Sequence, residues 1–585
     1  MKKWICGLLT VCMLLASLGA LAETYTPGTY TGVGQGNNGE ITVEVVFSEQ
    51  AIESVTVTAH SETPGLCDAA IETIPAEIVK AQSIDVDTVS GATNTSRGIL
   101  QAVADASAQA GVSLGEADKA TLESVDCDVV IVGAGIAGLA TAKSAAESGA
   151  NVILVEKQGV VGGSGLLTSA GFYGAETAYV PAEVESKDEM YNHILEMIDE
   201  GGDLAHVEKD RIRHLVDASS DLVTWLEGMG YTFTTTDFMI KDAKPHYHIL
   251  ADGSGGVGQV KLLSAAVEAA GVNVMTNTKC IALNQADGAM SGITVETADG
   301  VFDINAKAVV LTCGGYAQNQ EMIMRLQPQS LFSLTCTNAG ATGEVLQMAA
   351  NLGAAWYNDQ FMLTCGFTSD PAVPSLSMAC YPPYASMPVV DQTGHRFENE
   401  FLLWTLNSEL VRNVENAPFY GIFDGEFLKG TAAEYKYGFL EEAIAAGSNW
   451  VIKADTLEEL AARMGVKDVN AFLDTIAKYN SVKGTDQPEP EYGVPNAQLS
   501  FVENAPFYAV MMVSLNAGTM GGIKTQITGE VLDYHGNVIP GLYAAGEASN
   551  GGLYDRGYIS GTSVLNCYIA GRDAGASASA YAAAK

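Results

Sequence analysis

Apolar and polar residues alternate in Ile41-Thr42-Val43-Glu44-Val45-Val46 and again from Ile52 to Val57, the period-two pattern of half-buried strands. The period then lengthens to a helical one around Ala69 to Ala81, and a second helix is expected from Arg97 to Ala110. Tyr25 to about Gly111 therefore predicts a small α+β unit. After a polar linker near Glu116 to Asp126 the pattern changes. Cys127-Asp128-Val129-Val130-Ile131-Val132 is an apolar run suited to a parallel strand covered on both faces. A helix of small residues from Leu139 to Ser148 and a second strand, Asn151 to Val155, follow it. Strand, helix and strand in that order point to an α/β fold.

At the start of the chain Lys2 and Lys3 precede an apolar run from Trp4 to about Leu18, and Ala20-Leu21-Ala22 forms a small-x-small cleavage site. Residues 1–22 read as an export signal, with the mature chain starting near Glu23. The alternative is an uncleaved anchor, but the run is shorter than the ~20 residues a span needs. The expectation is an exported protein, periplasmic or extracellular, soluble after cleavage.

Composition narrows the function. The 585 residues are 47% hydrophobic and 17% charged, which excludes disorder and predicts about three or four domains with real cores. With 30 Lys+Arg against 69 Asp+Glu, the formal charge of −39 repels phosphate backbones, so nucleic acid is excluded as a partner. Cys6 and Cys12 fall in the signal. The other eight cysteines are scattered, with no C-x-x-C pair for metal or redox work and no C-x-x-C-H for haem, so no metal site is expected.

Chemistry concentrates in glycine-rich turns. Asp87-Thr88-Val89-Ser90-Gly91-Ala92-Thr93 lies just ahead of a helix, whose N-terminal N–H groups favour a phosphate. Gly133-Ala134-Gly135-Ile136-Ala137-Gly138 lies between the first strand and helix of the second region. Glu156 ends the next strand, 18 positions beyond Gly138. This context marks a dinucleotide fold: the glycines admit the pyrophosphate and the carboxylate accepts ribose hydroxyls. Gly162-Gly163-Ser164, Val309 to Tyr316 and Gly541-Leu542-Tyr543-Ala544-Ala545-Gly546-Glu547 extend the pattern in the manner of FAD-binding chains.

The first turn, preceded by Glu62-Thr63-Pro64-Gly65, resembles that of the FMN-binding domain in which a flavin transferase links FMN to threonine through a phosphodiester. The resemblance implies an FMN-binding domain over residues 24–115, covalent FMN on Thr93, contacts from Ser90 and Gly91, and a flavin transferase as a partner. Residues 126–585 resemble the flavoprotein subunit family of fumarate reductase and succinate dehydrogenase, and, with the FMN domain in front, the exported fumarate reductase and urocanate reductase type and the related 3-ketosteroid dehydrogenases. That implies a Rossmann-like FAD domain at 126–356 and 516–585 with an inserted α+β clamp at 357–515. It also implies non-covalent FAD held by Gly133, Gly135, Ala137, Gly138, Glu156, Lys157, Gly163, Ser164, Gly165, Ser169, Ala170, Gly171, Glu547, Ser563 and Val564.

The family's carboxylate-binding residues are replaced. Fumarate reductases pair a dianion with His and Arg cations, because such charge in a dry pocket needs partners. Here Gly394-His395-Arg396-Phe397-Glu398-Asn399-Glu400 carries the motif ahead of the proton-donating arginine, yet Trp404 stands in the donor's place. The Thr-Glu pair falls on Ala379 and Cys380, the substrate histidine on Gly518, and the C-terminal arginine on Tyr558. Aromatic residues take over: Tyr381, Tyr384, Trp404, Tyr554 and Tyr558. A phenol can donate to a carbonyl and stabilise a developing enolate. Tyr558 with Gly561 is similar to the ketosteroid dehydrogenase arrangement, so the expected catalytic residues are Tyr558, Tyr384, Tyr381 and Gly561. His246 and His248 are expected as cofactor neighbours. The expected function is reduction of an activated C=C bond, of enone or aryl acrylate type, fed by a membrane-associated or extracellular electron donor through FMN and FAD. The alternatives are a dehydrogenase running the other way and a non-catalytic diflavin carrier.

Overall fold

The computed structural model describes residues 24–36, 39–62, 67–84, 86, 89, 92–112, 120–168, 170–201, 204, 207–236, 246–330, 333–357, 362–367, 387–400, 410, 413–429, 440–554, 558–559 and 561–585. The expected export signal, Ser90, Gly91, Ser169, Tyr381, Tyr384 and Trp404 lie outside the described residues. The chain divides into two compact units, one up to Thr121 and one from Leu122.

In the first unit, β1 (Gly28–Gln35), β2 (Glu40–Phe47) and β3 (Ile52–Ala59) form an antiparallel meander. Helices α1 (Asp68–Ala81) and α2 (Thr93–Gln109) complete the unit. The alternation in β2 buries Ile41, Val43, Val45 and Phe47, which share a core with Ile74, Ile78, Ile99 and Val103. Gly32 and Gly34 let β1 touch α2 directly: a Cβ on either would sit 1.9 Å from the Ala102 oxygen or 2.1 Å from the Gly98 oxygen. Helix α2 starts at Thr93, four residues before the expected Arg97. The cause is Ser96, whose Oγ donates to the Ala92 oxygen at 2.9 Å and accepts the Val89 N–H at 3.0 Å, tying small polar residues into a first turn.

The second unit is built on a mainly parallel sheet in the order β10-β11-β12-β4-β5-β9, with β20 beside β12 and β19 beside β20. Its strands are β4 (Val125–Val132), β5 (Val152–Val155), β9 (Asn273–Met275), β10 (Lys279–Ala286), β11 (Ala289–Glu296), β12 (Val301–Leu311), β19 (Glu530–Leu532) and β20 (Val538–Ala544). Val129 and Ile131 of β4 enter one core while Val130 and Val132 enter another, so the strand is buried on both faces, as its unbroken apolar run predicts. Helix α3 (Ile136–Glu147) joins β4 to β5. The last helix, α7 (Thr562–Ala583), lies against α3, because Gly571 and Gly575 bring its backbone close: a Cβ on either would sit 2.7 Å from the Ala137 oxygen or 2.4 Å from the Thr141 oxygen.

Between β5 and β9 come a small sheet of β6 (Phe172–Tyr173), β8 (Tyr247–Leu250) and β7 (Phe233–Thr236), and helices α4 (Lys187–Gly201), α5 (Lys209–Glu227) and α6 (Gly255–Ala269). A further sheet carries the insertion: β13 (Leu334–Thr335), β14 (Met362–Phe367), β15 (Val389–Val390), β16 (Phe419–Asp424) and β17 (Val451–Ala454) assemble around β18 (Phe507–Thr519). The expected clamp boundary at 515/516 falls inside β18, so one 13-residue strand serves both the insertion and the dinucleotide part. Arg396 is buried between the carboxylates of Glu400, 2.7 Å from Nε, and Glu489, 2.8 Å away, with its guanidinium over the rings of Tyr479 and Tyr492. It belongs to the insertion's interior. Among the described residues no helix is long and apolar enough to cross a membrane.

Candidate functional site: a glycine-lined dinucleotide cleft

The turn between β4 and α3 is forced by glycine. Gly133 has φ 103°, and a Cβ there would lie 2.6 Å from the Thr312 oxygen. A Cβ on Gly138 would lie 1.9 Å from the Gly133 oxygen. Gly162 donates to the Ala134 oxygen at 2.7 Å, which brings Gly162-Gly163-Ser164 alongside the same turn. These segments wall a cleft at the C-terminal end of the sheet, where α/β folds bind dinucleotides.

Of the expected cofactor residues, Gly133, Gly135, Ala137, Glu156, Lys157, Gly163, Ser164, Gly165, Glu547 and Val564 line this cleft. Gly138 backs it from beneath the turn. Ala170 and Gly171 stand away from its wall: the Ala170 oxygen accepts Gln259 Nε2 at 2.5 Å, and Gly171 packs so close to Tyr247 that a Cβ would lie 1.9 Å from the ring. Ser563 is one residue from the wall, beside Val564 in the first turn of α7. Thr93 begins α2 in the other unit. Two residues on, the Thr95 hydroxyl donates a short hydrogen bond to the buried Glu62.

Two carboxylates shape the cleft. Glu156 accepts the Ala134 N–H and the Gln158 N–H, each at 2.9 Å, so it braces the glycine turn and still has lone pairs for hydroxyls. Glu547 accepts both the N–H and the hydroxyl of Thr519, at 2.7 and 3.0 Å. Burial pushes its carboxyl up, and the Thr519 hydrogen bonds only partly offset this. Gly518 faces the same carboxyl, 3.2 Å from where its Cβ would be. Lys157 pairs with Glu344 at 3.1 Å. Cys280, Cys313 and Cys567 also line the cleft, and burial pushes each thiol up to about 12, which keeps them protonated.

The wall also contains residues outside the sequence expectations: Thr278, Lys279, Asn338, Gly340, Gly343 and Ala517. Asn338-Ala339-Gly340-Ala341-Thr342-Gly343, opening a helix at Glu344, carried a readable signal as a glycine-rich turn. Thr278 and Lys279 carried none, because an ordinary strand entry supplies them.

The expected catalytic end lies at the start of α7. Gly561 has φ 94° and caps the helix, and Tyr558 is half-buried three residues before it, with its ring 5.2 Å from that of Tyr554. Tyr554 is buried and its hydroxyl bonds Thr562 Oγ1 at 2.8 Å, so this phenol serves the turn. The Tyr247 ring supports Gly561 from below, 2.5 Å from where a Cβ would be. His246, at the entry to β8, pairs with Glu185, and His248, on β8, has its Nε2 2.9 Å from Thr177 Oγ1.

The residues present fit a flavin dinucleotide: the cleft is long, floored by side-chain-free backbone and flanked by the N-termini of α3 and α7, which attract negative charge. Comparison with known proteins agrees. A profile described as an FAD binding domain matches residues 128–564, and one described as an FMN-binding domain matches residues 36–108. The chain is 30% identical to urocanate reductase of Eggerthella lenta over 94% of its own length and 92% of the relative's. It is 31% identical to vinyl phenol reductase of Lactiplantibacillus plantarum over 78% of its length and 96% of that protein's. The open conformation of a flavocytochrome c3 fumarate reductase superposes with a TM-score of 0.60 at 26% identity, covering 78% of this chain and 79% of the other. The chain belongs to the FAD-binding oxidoreductases of the fumarate reductase and urocanate reductase family, with an FMN-binding domain ahead of its FAD-binding domain.

Proposed function

We propose that this is an exported reductase that takes electrons from a membrane-associated or extracellular donor onto FMN attached to Thr93, passes them to FAD, and delivers hydride to an activated C=C bond of enone or aryl acrylate type. FAD supplies the two-electron chemistry when bound. The chain's own residues do the rest: Gly133 to Gly138 and Glu156 hold the dinucleotide, and the α7 turn holds the substrate carbonyl. The Tyr558 hydroxyl and the Gly561 N–H act as donors to an oxygen that becomes negative as hydride adds at the β-carbon. A flavin transferase is the partner that installs FMN.

The observation that carries this reading is the α7 turn, where Tyr558 and the positive-φ Gly561 come just ahead of Val564, a residue of the cleft wall, in the segment where the family carries a cation. Among the described residues lining the cleft there is no arginine or histidine; its two cations are Lys157, committed to Glu344, and Lys279. That donor set suits a neutral carbonyl or a single carboxylate better than a dianion. Two of the similar proteins are named for urocanate and vinyl phenol, both with a C=C conjugated to an aromatic ring. The test is anaerobic reoxidation of the reduced protein with enones, cinnamates, urocanate and fumarate. Oxidation by one of the first three and not by fumarate is expected, and fumarate as the fastest oxidant would overturn the reading.

A further inference from the structure

Behind the cleft, and unused by the chemistry above, the second unit buries an ionisable pair. Glu185 and His246 are each 1% exposed, and His246 Nδ1 meets Glu185 Oε2 in a short hydrogen bond. Their outward atoms, His246 Nε2 and Glu185 Oε1, have no hydrogen-bond partner. A buried carboxylate oxygen and a buried ring nitrogen left without partners cost free energy, so two from one pair call for a bound water or a transferable proton. The groups facing the pair are His193 of α4, with ring centroids 5.7 Å apart, and Tyr173 of β6, at 5.4 Å. His248 is on the same strand, β8, and burial holds its imidazole down to about 4, so it stays neutral beside His246.

The pair is coupled to the α7 turn through its neighbours. Tyr173 stacks edgewise on Tyr247 as well, at 5.5 Å, and Tyr247 is the ring beneath Gly561 and against Gly171. Thus the residue after His246 supports the very glycine assigned to the substrate carbonyl. Reduction of a C=C bond needs two electrons and two protons. A hydride would carry one proton with the two electrons, and the α7 turn offers hydrogen-bond donors but no assigned source for the second proton.

We propose that the Glu185–His246 pair is the proton relay of this reductase. Glu185 accepts from Nδ1–H and fixes the ring. Protonated Nε2 gives its proton, through buried water or the Tyr173 phenol, to the carbanionic α-carbon left after hydride addition; the imidazole becomes neutral and recovers a proton from solvent. His246 thus acts through another group, as a positioning and relay residue, and the inference rests on the C=C reductase reading.

The experiment uses FAD-loaded protein with His246→Gln and, because the first may disturb folding, Glu185→Gln. Reduced protein is mixed anaerobically with cinnamate, or with the best alkene of the panel, across the neutral pH range, and separately with ferricyanide, which takes electrons without needing a proton at carbon. Expected are wild-type FAD content and ferricyanide rates, alkene rates lower by about 10²-fold or more for His246→Gln, a flattened pH profile, and a smaller loss for Glu185→Gln. Wild-type alkene rates and pH profile in both variants would overturn the relay, and so would equal losses with ferricyanide and alkene. Failure of the wild-type protein on every alkene would sink the reading beneath it, and is seen before any variant is compared.

Discussion

The β4–α3 turn and the α7 turn are built on different principles. At the β4–α3 turn the cleft wall is backbone: Gly133, Gly138, Gly162 and Gly163 fix the path, and Glu156 braces it through two N–H groups. The α7 turn presents side chains on a capped helix start, with Tyr554 and Thr562 locking the scaffold and Tyr558 beside them. A backbone site tolerates almost no substitution, because each added Cβ strikes main chain. A side-chain site can be rewritten residue by residue while the turn persists. The comparison accounts for a family that keeps its dinucleotide fold while changing substrates.

The sharpest way to test the first half lies in covalent and steric yes-or-no outcomes. Thr93→Ala should remove all flavin that survives denaturation while leaving FAD in place, read by mass spectrometry of the peptide containing residue 93; covalent FMN persisting in the variant would refute the attachment. Gly138→Ala places a methyl 1.9 Å from the Gly133 oxygen, so the turn must shift by more than such backbone allows. FAD per chain, measured by absorbance, should fall below about a tenth, consistent with overpacking costs of roughly 1–3 kcal/mol acting directly on the binding turn.

Smaller effects separate bracing from ligation. Glu156→Ala removes a charged acceptor worth about 1.5–3 kcal/mol, so FAD affinity should drop about 10- to 100-fold with FMN content unchanged. Unaltered affinity would mean the carboxylate only braces the turn. Glu547 gives the finest probe. Burial raises its carboxyl in the folded, FAD-free protein, so its contribution to stability is fully present below the unfolded value and is lost as pH rises through the folded one. Thermal unfolding of FAD-free protein should show that loss as pH rises above the ordinary carboxylate range, and Glu547→Gln should abolish it.

How much of this was readable in the chain follows the same division. The β4–α3–β5 segment was legible because its glycines, its double-faced apolar strand and Glu156 lie within about thirty consecutive residues. Helix α2 was placed but started late, since Thr93 to Ser96 look like turn residues until Ser96 is seen bonding backward to Val89 and Ala92. Thr278 and Lys279 were not legible, because tertiary folding alone brings such distant segments to one wall. The partnership of Glu185 with His246, 61 residues apart, is of the same kind. The resemblance puts Gly518 where the family has a histidine, and only the fold shows that it faces Glu547.

The most direct measurement of the central claim is single-turnover reoxidation of reduced Tyr558→Phe against wild type, with the best alkene and with ferricyanide. Losing one donor to a developing oxyanion should slow the alkene reaction about 10²- to 10³-fold and leave the ferricyanide reaction untouched. Equal alkene rates in the two proteins would contradict the account and move the oxyanion role away from the α7 turn.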